Sequence, residues 1–264
     1  RFWKVALETS GGSRRNANGV DLNRNFGDNW QSGSDHGTGP FSEIESQAMR
    51  DYCVDRVFHL SAAFHTGAVV VNMPFDWAAS DDGGMPVEAD LVQQLAYDYS
   101  REGNFLSTPN QLGDVDAVDG TIWGGDWYTI NGSLQDWSYT ETGCPALTIE
   151  IAASSPSTDE GIGEYFAYNR DSLLNYCAAA GRGVSGRVTG TDAESLADVT
   201  IELVNEAGDT VTGDIATRTD IAGYYHRVLL PGSYYLRFSH DGYTPKTKPV
   251  MVAESMEPGT CDVT

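Results

Sequence analysis

Two architectures in series are predicted, an α/β layer structure over residues 1–182 and a small all-β sandwich over 183–264. The first observation is periodicity. From Phe41 to about Arg182, helix-like and strand-like patterns alternate, which is the signature of a mixed sheet with helices on its faces. The second is a change of pattern after Gly181-Arg182-Gly183, beyond which only short strands with turn signals survive. The third is bulk. The chain has 264 residues, 40% hydrophobic and 11% aromatic, enough for a core in each part.

Each element has a local reason. Ser42-Glu43-Ile44-Glu45 reads as a capping box, with the serine capping a helix and the glutamate reaching back. Ala48, Tyr52 and Val57 then approximate an apolar helical stripe. Ala62–His65 and Ala68–Asn72 read as buried strand and its C-terminal loop. Val87–Tyr99 is a second helix, Ala146–Ile151 a second buried strand and Gly161–Ala179 a third helix. In the second part, Val184–Thr189, Val199–Val204, Gly223–Val228, Ser233–Phe238 and Lys248–Val252 alternate polar with apolar residues. Turns at Ala207-Gly208-Asp209, Pro231-Gly232 and Asp241-Gly242 separate them.

Composition excludes several function classes. The net charge is −22, from 38 acidic and 16 basic residues, and such a field repels nucleic acid and draws in cations. It also fits a protein that works in salty water. No apolar run approaches the roughly 18 residues of a membrane span. Arg1-Phe2-Trp3-Lys4 lacks the apolar stretch of a signal peptide. Four cysteines, Cys53, Cys144, Cys177 and Cys261, show no C-x-x-C spacing, which argues against a structural zinc site. Free buried thiols, or any of three pairings in an exported protein, both remain open.

The chemistry-bearing residues lie in the first part. Arg14, Arg15 and Arg24 stand with Asn16, Asn18, Asn23 and Asn25, a cluster of planar donors suited to a carboxylate and a polarised carbonyl. Taken alone, these are also ordinary loop residues. His65 ends an apolar stretch, where a neutral imidazole can meet a metal or simply be a hydrogen-bonded core residue. Glu150 sits in the middle of the apolar run Leu147-Thr148-Ile149-Glu150-Ile151, a costly place for a carboxylate unless it is paired or catalytic.

Together these pieces resemble the zinc metallocarboxypeptidases of the funnelin type, in the branch that includes carboxypeptidases N, E and D. The motifs are Asp-Leu-Asn-Arg-Asn-Phe at 21–26, Pro-Phe-Ser-Glu-x-Glu-Ser-Gln-Ala at 40–48, the histidine motif at 65–75 and Trp-Tyr…Gly-x-x-Gln-Asp-Trp at 127–137. Tyr128 lies eight residues before Asp136, and Glu150 fourteen after it, as in that family. The second part resembles the transthyretin-like sandwich of the same branch, through Thr219-Asp220-x-x-Gly223-x-Tyr225 and Leu230-Pro231-Gly232-x-Tyr234.

The resemblance implies a carboxypeptidase-like mixed sheet and a zinc-dependent exopeptidase acting on peptide or protein C-termini. It implies His65 as a zinc ligand and Glu150 as general base. Arg14, or the adjacent Arg15, polarises the scissile carbonyl. Asn23 and Arg24 hold the terminal carboxylate, and Tyr128 closes over the C-terminal residue. Asp76, eleven residues beyond His65 on the loop where that strand leaves the sheet, implies a preference for C-terminal Arg or Lys, with Gln135 adding an acceptor. The alternative for Asp76 is a turn with the Ser80–Gly84 loop. A secreted or periplasmic location is expected.

One departure stands out. The family takes two further zinc ligands from a His-x-x-Glu motif, and none of His36, His59, His65, His226 and His240 begins one. The expectation is therefore a chain that starts part-way through the catalytic domain, with an incomplete zinc site. Ligands supplied by another chain and a natural pseudoenzyme are the alternatives. The rival function is a binding module that grips peptide C-termini without cleaving them. A sandwich acting as an adhesion or folding accessory is a third.

Overall fold

Residues buried on both sides of a sheet leave an unbroken apolar run, and Ala68-Val69-Val70-Val71 is the clearest one in this chain. In the computed structural model, which describes residues 14–54, 56–101, 103–108, 117–155, 158–211 and 214–264, that run is the centre of the first unit. A 3-10 turn, Leu22–Arg24, comes first, capped by the Asp21 side chain on the Asn23 N–H. Helix α1 (Ile44–Val54) precedes strands β1 (Ser61–His65) and β2 (Ala68–Met73). Helix α2 (Ala89–Ser100), strand β3 (Thr121–Trp123), helices α3 (Gly124–Trp127) and α4 (Leu134–Thr142), strand β4 (Ala146–Ala152) and helix α5 (Asp159–Ala179) follow.

The four strands lie in the order β1-β4-β2-β3. β1 runs parallel to β4, β4 antiparallel to β2, and β2 parallel to β3, so the sheet is mixed. Alternate residues of β2 divide between two cores. Val69, Val71 and Met73 join Leu91, Leu95 and Tyr99 of α2 and Tyr176 of α5. Ala68 and Val70 meet Ile122 of β3. The α2 positions recur every three or four residues, which is the spacing that turns one helix face to a sheet.

The second unit contains β5 (Val184–Arg187), β6 (Thr200–Val204), β7 (Thr217–Arg218), β8 (Tyr224–Arg227), β9 (Gly232–Ser239), β10 (Lys246–Val252) and β11 (Gly259–Thr260). They form one sheet of order β10-β9-β6-β7 and another of order β11-β5-β8. Ile201, Leu236, Phe238 and Tyr225 fill the space between them. At the β8 turn the Asp220 side chain accepts the N–H groups of Ala222 and Tyr224, and Gly223 takes φ +77°, a left-handed value open to glycine. The two units touch intimately. Val228, just past β8, is buried in the core of the first unit, with Ile215 and Leu230 beside it.

Several local expectations are corrected. Ser42 does not cap α1 through a reciprocal box with Glu45. Its hydroxyl donates to the Glu43 carboxylate at 2.9 Å, and the Glu43 N–H goes to Asn25 Oδ1. Ala48 and Tyr52 face solvent, Val57 lies beyond the helix, and the buried residue of α1 is Ser46, bonded to Asn25. Ala68–Asn72 is a central strand rather than a loop, because the chain reverses at Gly67 and returns on the other side of β4. All four thiols are free, and of these only Cys144 is buried. The opening Arg1–Lys4 stretch lies outside the described residues.

Candidate active site

Register brings the first two groups together. β1 and β4 pair in parallel with His65 opposite Glu150, and His65 Nδ1 lies 3.9 Å from Glu150 Oε1. Glu150 is buried, and its Oε2 has no hydrogen-bond partner. Burial, opposed by the positive charge of Arg14, pushes its carboxyl up to about 7. Burial, with Arg14 adding to it, lowers the proton affinity of His65, so the imidazole is held neutral.

The 3-10 turn and the segment just before it, where the backbone of Arg15 bridges to Asp21, supply the cationic side. Arg14 Nε donates to Asp21 Oδ2 at 2.6 Å and lies close enough to Tyr128 and Glu150 to interact with both charges. Arg15 instead pairs with Asp35 at 2.8 Å. Arg24 Nη1 donates to the Asn23 carbonyl and stands 3.9 Å from Asp21 Oδ2. Asn23 Oδ1 accepts the Leu134 N–H at 2.9 Å, tying this turn to the start of α4. Gly132 approaches so closely that a Cβ there would lie 2.7 Å from the Arg24 carbonyl oxygen. Tyr128 caps α3 and is half exposed, edge-on to Trp127.

The third part is a buried polar floor. Asp76 is 2% exposed. It follows β2, not the strand that bears His65, which corrects its expected position. Its backbone N–H goes to Asp136 and its carbonyl accepts from Ile130, while it is the preceding Phe75 N–H that bonds the Ser80–Gly84 loop, at the Gly84 carbonyl. Its Oδ1 accepts from Asn72 Nδ2 and Gln135 Nε2, each at 2.9 Å. The same two amides leave Asn72 Oδ1 and Gln135 Oε1 buried with no partner. A Cβ on Gly124 would collide with the Asp76 carboxylate and with Asn72 Oδ1, so glycine keeps this floor open. Arg24 and Tyr128 both feel the charge of Asp76 or act on it, which places the floor beside the arginine side of the site.

All eight residues singled out in the sequence (Arg14, Asn23, Arg24, His65, Asp76, Tyr128, Gln135 and Glu150) thus belong to one constellation. Asp21, Asn72 and Asp136 belong to it too and were not singled out. Their roles run through neighbours distant in sequence, though all three lie within the quoted motifs. Among the described residues, no three His, Cys, Asp or Glu side chains converge on a point that could hold a metal ion. His65 and Glu150 by themselves do not fit a tightly held zinc. No helix among the described residues is long and apolar enough to cross a membrane.

Comparison with known proteins gives a consistent result. The family model described as zinc carboxypeptidase matches residues 1–172, and the carboxypeptidase regulatory-like domain matches 183–264. Carboxypeptidase D of Homo sapiens is 34% identical over 250 residues, covering 90% of this chain and 17% of that protein. The carboxypeptidase N catalytic chain of Homo sapiens is 31% identical over 261 residues, covering 90% of this chain and 55% of that one. The chain therefore spans about a sixth to about a half of the length of these curated relatives. The crystal structure of thrombin activatable fibrinolysis inhibitor superposes with a TM-score of 0.41 at 20% identity, over 59% of this chain and 37% of that one.

Proposed function

Because this chain belongs to the zinc carboxypeptidase family, we propose that it carries the substrate-holding part of a metallocarboxypeptidase that removes C-terminal Arg or Lys from peptides. The observation that carries the specificity is the floor. A buried carboxylate is flanked by two buried carbonyl oxygens that have no donor. Such a site has more buried acceptors than donors, and a guanidinium or ammonium supplies the missing donors together with positive charge.

Each remaining group has a task in this reading. Asn23 and Arg24 hold the terminal carboxylate, which restricts cleavage to the last residue. Arg14 draws electron density from the scissile carbonyl and steadies the oxyanion. Glu150, with its proton affinity near neutrality, takes a proton from water and hands it to the leaving amine. Tyr128, half exposed, closes over the bound residue. Zinc is the family's metal and would supply Lewis acidity. His65 is the one family ligand position in this chain, and the site is read as lacking two of three ligands. An exported setting, secreted or periplasmic, goes with this reading.

A second reading, a module that binds peptide C-termini without cleaving them, is favoured by the missing convergence of metal-ligating groups among the described residues. One experiment addresses both. The 264-residue chain is offered peptides ending in Arg and in Leu, with zinc present, and binding and cleavage are followed separately. The Arg-ended peptide is expected to be preferred by about 10- to 1000-fold, on the order of 1.4–4 kcal/mol. Asp76→Ala should remove most of that preference, and a variant that keeps it refutes the pocket. Binding without cleavage, with far less than stoichiometric zinc after dialysis, selects the binding module for this chain.

A further inference from the structure

One buried carboxylate in the site has no task so far. Asp136, the third residue of α4, is 1% exposed, and both its oxygens accept the backbone N–H of Asp76 at 3.0 Å each. Its own backbone N–H goes to Ser133 Oγ, and the Ser133 hydroxyl is near enough to favour its ionised form. The other charges facing it are acidic, those of Asp76 and Asp28. Asp76, for its part, interacts with the charge of Arg24 and with Tyr128. An asparagine or threonine would satisfy the Asp76 N–H without placing a second charge behind the first. A carboxylate in that position is expensive unless a cation arrives to balance it.

We propose that Asp136 is a positioning residue for basic specificity, fixing Asp76 through its backbone and holding a proton with it that leaves when a guanidinium or ammonium enters the floor. This rests on the reading of Asp76 as the base of a basic pocket. Asp136 holds the backbone of Asp76 itself, so the two buried carboxylates are neighbours whose charges repel, and the empty pair retains one proton. Burial first, and the neighbouring charge of Asp76 second, push the Asp136 carboxyl well up. When the cation enters, that proton passes to solvent and the pair becomes fully charged around the ligand. Asn72 Oδ1 and Gln135 Oε1, buried and unpartnered, then take the ligand's remaining N–H groups.

The test compares benzoyl-glycyl-arginine with benzoyl-glycyl-leucine by titration calorimetry in buffers of different ionisation heat. Glu150 and His65 meet both peptides alike, so the ratio of the two affinities cancels their titration. For the wild-type chain that ratio should rise with pH, by up to about tenfold per pH unit, with proton release for the arginine peptide alone. In Asp136→Asn both the slope and the release should vanish, the arginine peptide being read against the leucine peptide on that same variant. An Asp136→Asn chain that still releases the proton overturns the proposal. Wild-type chain with no preference for the arginine peptide at any pH refutes the pocket itself, which is a separate failure. If the variant does not fold, the infrared band of a protonated carboxyl answers in the wild type. It should lose intensity on adding the arginine peptide but not on adding the leucine peptide, a comparison that cancels the carboxyl of Glu150, and equal bands in the two complexes are equally fatal.

Discussion

His226 of β8 sits against His59 with ring centroids 4.5 Å apart, and its Nε2 is buried without a partner. Burial first, and the charge of His59 second, push its imidazole down to about 4, with the backbone at Ala180 and Arg182 acting the other way. Burial lowers His59 too. Arg227 is next in sequence, and the acidic Glu88 beside it is already paired, so no free anion offsets a proton here. An unfolded histidine titrates near 6.5. Between that value and about 4 the unfolded chain binds protons that the folded chain refuses, so this pair supports the fold above about 6.5 and the support fades as pH falls. His226→Phe should therefore lose less thermal stability than the wild type between neutral and acidic buffer. Equal losses in the two proteins would show that the pair does not titrate as described.

At the scale of elements, α4 does most to assemble the site. Ser133 caps it by accepting the Asp136 N–H, Leu134 bonds Asn23, Gln135 bonds Asp76 and Asp136 receives the Asp76 backbone. Ser133→Ala should cost about 0.5–2 kcal/mol by loss of the cap, read as a lowered midpoint in urea with an unchanged slope. It should also weaken arginine-peptide binding, because the residues that hold the pocket floor belong to the frayed turn. Full stability in that variant would mean the hydroxyl is not capping. This helix was not anticipated from sequence, and the reason is physical. Its residues Leu134-Gln135-Asp136-Trp137-Ser138-Tyr139 are chosen by a polar pocket on one side and an aromatic core on the other, so no apolar stripe survives. β4 was legible because burial on both faces leaves a continuous apolar run, and Glu150 was legible because it breaks one, whereas the equally apolar β2 was visible as a run but not as the central strand. Asp136 and Asn72 carry no such mark. The partner of Asp136 is a backbone N–H 60 residues away, and Asn72 acts through Asp76.

For the whole molecule, the consequential feature is how the two units are joined. Arg227 of β8 reaches out of the sandwich and pairs with Glu88, at the start of α2, at 2.9 Å and with Asp214. Its side chain is 5% exposed, that of Asp214 0% and that of Glu88 13%. Tyr139 Oη also donates to Glu88, and the Leu203 N–H donates to Asp214, so both carboxylates are further held. A buried triad of this kind adds little compared with apolar groups of the same shape, but removing one member strands the others. Arg227→Met should therefore destabilise the chain by about 3–5 kcal/mol, since two carboxylates remain buried with no cation. The net charge of −22 aggravates this, because the lost charge is positive. Restoring neutrality in Arg227→Met/Glu88→Gln/Asp214→Asn should recover most of the loss, leaving Val228 packed in the first core. Thermal unfolding of the single and triple variants measures this. A single variant as stable as the wild type would mean that the triad does not join the units. A triple variant as weak as the single one would locate the loss in packing around Arg227 rather than in its charge.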